Sequence, residues 1–132
     1  MYSNILNTLY NIPGYSKTFS CRDTSSGGLV VFIDKRISHT IIANRTIDGF
    51  HHIHAELNIN GRLFDVHRIY RLPSFDFHEF CNLLEELLSL ASSNRSCFIA
   101  GDVNVPMNLV NNNAAVLLCF ARVLWLCTDK TW

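Results

Sequence analysis

Two oxygen-bearing side chains, Asp102 and Asn104, follow the short apolar run from Cys97 to Ala100. An apolar run of this length that ends in turn-forming residues predicts a buried β-strand, so the carboxylate and the carboxamide are expected where that strand emerges. Residues two apart point to the same side of an extended backbone. A carboxylate beside an amide suits a hard cation such as Mg²⁺, or a phosphate group during transfer. Asp and Asn also commonly open a turn after a strand, and the sequence leaves this alternative open.

Tyr70 and Arg71 form a second polar pair, at the end of an earlier predicted strand and just before Pro73. If this strand and the strand that ends at Asp102 are parallel neighbours, their carboxyl ends coincide, and ligands of open α/β sheets bind at such ends. We then expect one polar cluster, in which the phenol and the guanidinium hold phosphate while Asp102 and Asn104 hold a metal ion or the nucleophile. The alternative is a tyrosine at the rim of a sheet with no part in chemistry.

Four histidines on two predicted strands are a further candidate site: His51, His52, His54 and His67. His52 and His54 share one side of their strand, so they are candidate ligands of a single ion, and His67 on the facing strand is a third. Zinc sites are usually four-coordinate, with Cys, His or carboxylate ligands that come from more than one segment. The competing interpretation is that these histidines lie on the exposed face of a hairpin.

The composition is that of a folded domain without a strong charge preference. The chain has 132 residues, enough for one domain, and its 11 basic residues balance 11 acidic ones. This balance argues against a protein that holds nucleic acid mainly by counterion release. The sequence contains no G-x-S-x-G hydrolase motif. Its 5 cysteines include no C-x-x-C pair, so neither a zinc knuckle nor a disulfide framework is indicated.

No part of the sequence predicts secretion or membrane insertion. The amino terminus lacks the basic region and apolar core of a signal peptide. The apolar run from Ala114 to Cys127 contains Arg122 and is shorter than the about 20 residues that a transmembrane helix needs. We therefore expect an intracellular protein, of the nucleus or the cytoplasm, with no membrane partner.

A hairpin is the best-defined element around these candidates. His51 to Asn60 alternates in polarity, which predicts a half-buried strand with His52 and His54 on its exposed face. Asn60–Gly61 is a strong hairpin signal because a type I′ turn needs positive φ at both central residues, so Leu63–Tyr70 is expected as the antiparallel partner. The other predicted strands are Tyr15–Cys21, Leu29–Ile33 and Ile37–Ala43. Leu29–Ile33 is apolar on both faces, which is typical of a central strand in a covered sheet.

An amphipathic helix is expected after Pro73. Asp76, with Glu79 three residues later, forms a variant of the capping box. Apolar residues recur at three- and four-residue intervals, at Phe77, Phe80, Leu84, Leu87, Leu88 and Ala91. A strand, this helix and the strand at Cys97–Ala100 imply a right-handed crossover and a parallel strand pair. The fold class is therefore α/β, and a further short helix is expected at Met1–Tyr10.

Three motifs in this order resemble one protein family. They are Gly27-Gly28-Leu29-Val30-Val31-Phe32-Ile33, Ile69-Tyr70-Arg71-Leu72-Pro73-Ser74 and Phe98-Ile99-Ala100-Gly101-Asp102-Val103-Asn104. With the helix between the last two, they resemble the endonuclease/exonuclease/phosphatase domain, and more narrowly the endonuclease domain of jockey-type non-LTR retrotransposon reverse transcriptase proteins. The resemblance covers about residues 12–108, and the apolar tail at residues 109–132 diverges from it.

The resemblance implies a four-layered α/β sandwich of the DNase I-like kind, with mixed β-sheets flanked by helices. It also implies that the partner is DNA and that the reaction is Mg²⁺-dependent hydrolysis of phosphodiester bonds. In this family Asp102 would orient the attacking water, Asn104 would hold the phosphate or the leaving group, and Tyr70 would contact the scissile phosphate. Asp102 is also the candidate ligand of Mg²⁺, and Arg71 is a further phosphate-binding candidate.

The chain departs from this family at both ends. The family carries an asparagine and a metal-binding glutamate ahead of the Gly-Gly strand, whereas no glutamate precedes Glu56 here. The family ends on Ser-Asp-His, whereas this chain ends on Thr128-Asp129-Lys130-Thr131-Trp132. We therefore expect residues 1–132 to be a single partial domain, truncated at both ends and inactive. The alternative is a non-catalytic interaction module that uses Ala114–Trp132 as an apolar surface for a partner or for self-association.

Overall fold

The computed structural model describes residues 11–21, 28–89 and 95–104. None of the helical structure in these ranges has the length and apolar character needed to cross a membrane. The predicted helix at Met1–Tyr10 and the apolar segment Ala114–Trp132 lie outside the described residues. In chain order the elements are β1 (Tyr15–Cys21), β2 (Gly28–Asp34), β3 (Ser38–Ile47), β4 (Phe50–Ile59), β5 (Arg62–Arg71), α1 (Phe77–Ser89) and β6 (Ser96–Asp102). The α/β class is thus confirmed, with strands predominating.

Strands β3, β4, β5 and β6 form the main sheet, in that order. β3 pairs antiparallel with β4, and β4 with β5, whereas β5 and β6 run parallel. α1 connects the two parallel strands, so the predicted strand–helix–strand unit is confirmed. Because parallel strands end at the same edge of a sheet, β5 and β6 present their carboxyl ends together.

The hairpin between β4 and β5 is confirmed, with its turn at Asn60–Gly61. The two turn residues have φ values of 54° and 78°, as a type I′ turn requires. Ile59 pairs with Arg62 beside the turn, and the register continues without a shift to Phe50 and Arg71. The turn therefore determines which residues of β4 and β5 face each other.

α1 covers one face of the main sheet with its apolar side. Asp76 Oδ1 accepts a hydrogen bond from the backbone N–H of Glu79 at 2.9 Å, which confirms Asp76 as the N-cap. Leu88 packs against the core from a partly buried position, and Ala91 lies outside the described residues. The helix and the sheet beneath it form the main hydrophobic core from Phe50, Ile69, Phe75, Phe77, Phe80, Leu84, Leu87, Ile99 and Val103.

β1 and β2 form a separate antiparallel pair. The prediction that Leu29–Ile33 is a central strand is wrong, because β2 pairs only with β1 among the described residues. Leu29 and Ile33 on one side of β2 are buried, whereas Val30 on the other side is 44% exposed. Among the described residues, an apolar run therefore formed a strand that is more deeply buried on one face than on the other.

The β1–β2 pair packs on the face of the main sheet that is opposite to α1. Ser20 Oγ on β1 lies 2.6 Å from Thr46 Oγ1 on β3 and 3.1 Å from His51 Nδ1 on β4. His51 follows Phe50, which packs under α1, and adjacent strand residues point to opposite faces. β4 is thus covered on both sides where Phe50 and His51 lie, and both side chains are buried.

β3 lies at one edge of the main sheet and is longer than predicted. It runs from Ser38 to Ile47 and pairs with β4, not with β2. Its register shifts between Ile41 and Ala43, so Ile42 forms a β-bulge with an exposed side chain. Bulges on edge strands discourage pairing with strands of other chains.

Candidate functional site

Four polar side chains stand side by side across the main sheet. Thr46 pairs with His51, His51 with Tyr70, and Tyr70 with Asp102. We call Thr46, His51, Tyr70 and Asp102 the polar row. Residues in register on neighbouring strands share a face, so the row lies on the face opposite to α1. The predicted meeting of the carboxyl ends of β5 and β6 is confirmed, and it brings Tyr70 and Asp102 into direct register.

A tight turn after β6 joins Asp102 and Asn104. The backbone N–H of Asn104 donates to Asp102 Oδ1 at 3.0 Å, and Asn104 has a φ of 50°. The extended backbone expected as far as Asn104 is therefore wrong, since β6 ends at Asp102 and the pair forms a turn, as the alternative had it. The Asn104 carboxamide donates to the backbone carbonyl of Arg71 at 2.5 Å. These bonds tie the end of β6 to the end of β5 and hold the Asp102 carboxylate at this edge.

Arg71 lies on the other face of the sheet, away from the polar row. Adjacent strand residues alternate between faces, so the side chain that follows Tyr70 points towards α1. Its guanidinium donates to the carbonyl oxygens of Val103, at 3.1 Å, and Phe75, and lies 5.6 Å from the centre of the Phe77 ring. Burial lowers the pKa of the Arg71 guanidinium because it disfavours the charged form. The structure thus separates Arg71 from the predicted phosphate cluster and places it beneath the helix.

Arg68 is the arginine of β5 that lies nearest to Tyr70 on the face of the polar row. It lies two residues before Tyr70 on β5, is exposed, and stands in register with Ala100 of β6. A spacing of two residues on a strand keeps side chains on one side. The sequence carried this signal, but Arg71 was the predicted phosphate-binding arginine because it directly follows Tyr70.

Neither His51, which belongs to the polar row, nor Ser20, which contacts it, was predicted for this site. His51 is fully buried, and its ring centre lies 5.9 Å from that of Tyr70. Ser20 Oγ lies within hydrogen-bond distance of both His51 Nδ1 and Thr46 Oγ1. Counting residues outward from the Asn60–Gly61 turn pairs His51 with Tyr70, so this neighbour was predictable. Ser20 was not, because it comes from the other sheet.

The remaining histidines of β4 and β5 form a stack on the face that α1 covers. The centre of the His67 ring lies 5.2 Å from that of His52 and 4.1 Å from that of His54, and the ring planes differ by 5° and 19°. We call His52, His67 and His54 the imidazole stack. His52 Nε2 lies 3.0 Å from His67 Nδ1, and His54 Nε2 lies 2.9 Å from Asp65 Oδ1. Burial lowers the pKa of His52 to about 3 and that of His67 to about 4, so both rings are neutral at pH 7.

The prediction that the side of β4 with His52 and His54 is exposed is wrong. His52 is 1% exposed and His67 is 4% exposed, because this is the face on which the helix packs. The metal interpretation of these histidines gains no support either. Within residues 11–21, 28–89 and 95–104, no group of three or more histidine, cysteine or acidic side chains is arranged to hold a metal ion. The same finding applies to the polar row, whose four residues include one carboxylate, that of Asp102.

The edge formed by the ends of β5 and β6 carries a phenol, a carboxylate and an exposed guanidinium on one face. Tyr70 and Arg68 can donate hydrogen bonds to phosphate oxygens. Asp102 can accept a hydrogen bond from water or contact a hard cation. Comparison with protein-family models finds no match to this chain, and comparison with curated proteins finds none either.

Proposed function

We propose that this chain is a phosphodiesterase-type domain of the endonuclease/exonuclease/phosphatase kind, like the endonuclease domains of non-LTR retrotransposons. The finer architecture that we propose is the four-layered, DNase I-like α/β sandwich. Its partner is DNA, and it contacts one phosphate beside Tyr70 and Asp102 when Mg²⁺ is present. The observation that carries this proposal is the register of Tyr70 with Asp102 at the carboxyl ends of two parallel strands.

Each side chain at this edge has a role that its chemistry allows. Tyr70 donates its phenolic hydrogen to a phosphate oxygen. Asp102 accepts a hydrogen bond from a water molecule and so orients it, and Arg68 offers its guanidinium to a neighbouring phosphate. The backbone N–H of Asn104 positions Asp102, while its carboxamide binds the carbonyl of Arg71. Direct contact between Asn104 and phosphate, which the resemblance implies, stays a prediction.

Mg²⁺ suits this edge as a cation that is held largely by the substrate and by water. It usually binds through one or two carboxylates and substrate phosphates, and it keeps several water ligands. Asp102 supplies one carboxylate here. When bound, Mg²⁺ supplies positive charge against the phosphate and makes a bound water more acidic. We therefore expect Mg²⁺ to bind appreciably only together with DNA.

We expect the chain by itself to bind DNA without cutting it. Metal-dependent hydrolysis needs a metal ion with a fixed ligand set and an activated water. These 132 residues contain no glutamate before Glu56 and no Ser-Asp-His sequence, the residues to which the resemblance assigns these tasks. Catalytic groups of this kind act as a unit, so the loss of part of the set removes nearly all turnover.

The test is the binding of a fluorescently labelled DNA duplex, measured by anisotropy in Mg²⁺ and in EDTA, with a supercoiled plasmid in parallel to detect nicking. We expect the affinity to be about tenfold higher in Mg²⁺, a difference of about 1.4 kcal/mol. Asp102→Asn keeps an oxygen that can accept the Asn104 N–H, but it removes the charge, so it should abolish the Mg²⁺ dependence. Glu85→Gln removes the same charge from an exposed position on α1 and should leave the Mg²⁺ dependence unchanged.

Two outcomes would contradict this proposal. One is equal binding in Mg²⁺ and EDTA, and the other is equal Mg²⁺ dependence in wild type and Asp102→Asn. Plasmid nicking that disappears in Asp102→Asn would support the site but would overturn the expectation that the chain is inactive.

A further inference from the structure

We infer that the imidazole stack makes the stability of the fold sensitive to acid. At neutral pH it stabilises the packing of α1 on the main sheet, and it loses this effect when it is protonated. The stack lies on the face opposite to the polar row, so this inference does not depend on the proposed DNA function. Its basis is the arrangement of His52, His67 and His54 between a sheet and the helix that covers it.

The hydrogen bond inside the stack requires that at least one of its two rings stays neutral. His52 Nε2 and His67 Nδ1 lie 3.0 Å apart, so one nitrogen donates a hydrogen and the other accepts it. If both rings were protonated, both nitrogens would carry hydrogens and the bond would be lost. Two positive charges would then stand side by side in rings that are almost fully buried.

The charged side chains around the imidazole stack form ion pairs. Asp65 bonds His54 and lies 3.8 Å from Arg95, which also pairs with Glu56. On the other side, Arg45 pairs with Glu86 of α1 at 3.3 Å. Burial, and after it the neighbouring His54, lower the pKa of His67, whereas Asp65 acts in the opposite direction. The charged and titratable groups that face the stack are Glu56 on β4, Asp65 on β5, Cys97 on β6, Arg95 before β6, Arg45 on β3 and Glu86 on α1.

The sign of the pH effect follows from the pKa values. His52 and His67 have pKa values of about 3 and about 4 in the folded chain, against 6.5 in an unfolded one. Between about pH 4 and pH 6.5 the unfolded chain therefore binds more protons, so the folded state loses stability as the pH falls. Well above pH 6.5 the two histidines are neutral in both states and have no such effect. From pH 7 to pH 5 we expect the unfolding equilibrium constant to rise by about 10²- to 10³-fold.

The test is urea unfolding of the full chain at pH 7, 6 and 5, followed by circular dichroism. The double variant His52→Leu/His67→Leu replaces both partners of the buried bond by apolar groups, so we expect its unfolding constant to change at least tenfold less over this range. His78→Leu makes the same exchange at an exposed position of α1 and should keep the wild-type pH profile.

Parallel pH profiles of the wild type and the double variant would overturn the inference. If the double variant does not fold, proton NMR titration of the wild-type histidine rings decides the matter. Titration of His52 and His67 below pH 5 supports the inference, whereas titration near pH 6.5 overturns the inference. Stoichiometric zinc binding that His78→Leu retains and His52→Leu/His67→Leu loses would overturn it too, since the stack would then be a metal site.

Discussion

Gly101→Ala is expected to prevent the chain from folding stably. Gly101 of β6 stands in register with Ile69 of β5. A Cβ atom at Gly101 would overlap the carbonyl oxygen of Ile69 and would lie 2.7 Å from its Cγ1. The carbonyl belongs to the backbone of a central strand and cannot rotate away, so the parallel pair would have to separate. We expect a loss of about 4 kcal/mol or more, which is a large part of the 5–15 kcal/mol that stabilises a typical domain.

Urea unfolding followed by circular dichroism measures this effect, and Gly61→Ala is the matched control. Gly61 has a φ of 78° with no atom within 4 Å of an added Cβ, so the substitution introduces backbone strain but no clash. We expect it to cost about 1–2 kcal/mol. If Gly101→Ala were as stable as wild type, or no less stable than Gly61→Ala, the close approach of β5 and β6 would be incorrect.

Arg71→Met is expected to destabilise the chain by about 3–4 kcal/mol while leaving DNA binding by the folded fraction unchanged. Met keeps much of the length and apolar character of the arginine side chain, but it cannot donate to the carbonyl oxygens of Val103 and Phe75. The loss of a charged partner by a buried polar group lowers the free energy of unfolding by about 1–3 kcal/mol or more. The contact of the guanidinium with the Phe77 ring is lost as well. The unfolding midpoint in urea and the anisotropy of labelled DNA measure the two effects separately.

Arg68→Met provides the control for Arg71→Met, because it makes the same exchange three residues earlier on the same strand. Arg68 is exposed on the face of the polar row, so the stability should change by no more than about 0.5 kcal/mol. Its DNA binding should weaken, and the dependence of log affinity on log salt concentration should fall by about 1. The reverse result, with DNA binding lost in Arg71→Met and stability lost in Arg68→Met, would restore the phosphate-binding role that the sequence suggested for Arg71.

The local signals in the sequence predicted much of the fold because each reflects a nearby physical constraint. Asn60–Gly61 fixed a turn that needs positive φ, and Asp76 capped the helix that follows Pro73. The strand–helix–strand order required a parallel pair, which brought Tyr70 and Asp102 together. Each of these inferences needed only neighbouring residues or a rule of chain connection.

Other features depended on which face of each sheet the helix or the other sheet covers. Sequence periodicity does not specify this. The alternation of β4 correctly placed His52 and His54 on one side. Because these residues are polar, that side was expected to face water, whereas the helix packs on it. β2 was apolar on both faces, and among the described strands it still pairs only with β1. Arg71 was assigned by its position beside Tyr70, although alternation along β5 places the two side chains on opposite faces.

The most direct measurement of the proposed site is the NMR spectrum of the full chain, bound to a short DNA duplex and titrated with Mn²⁺. Mn²⁺ binds carboxylate, carbonyl and water oxygens as Mg²⁺ does, and its unpaired electrons broaden the signals of nearby nuclei. We expect the signals of Tyr70 and of residues 102–104 to broaden first, and we expect Asp102→Asn to abolish this selectivity. Broadening centred on His52, His67 and Asp65, or broadening with no preferred location, would contradict a metal-assisted phosphate site at the ends of β5 and β6.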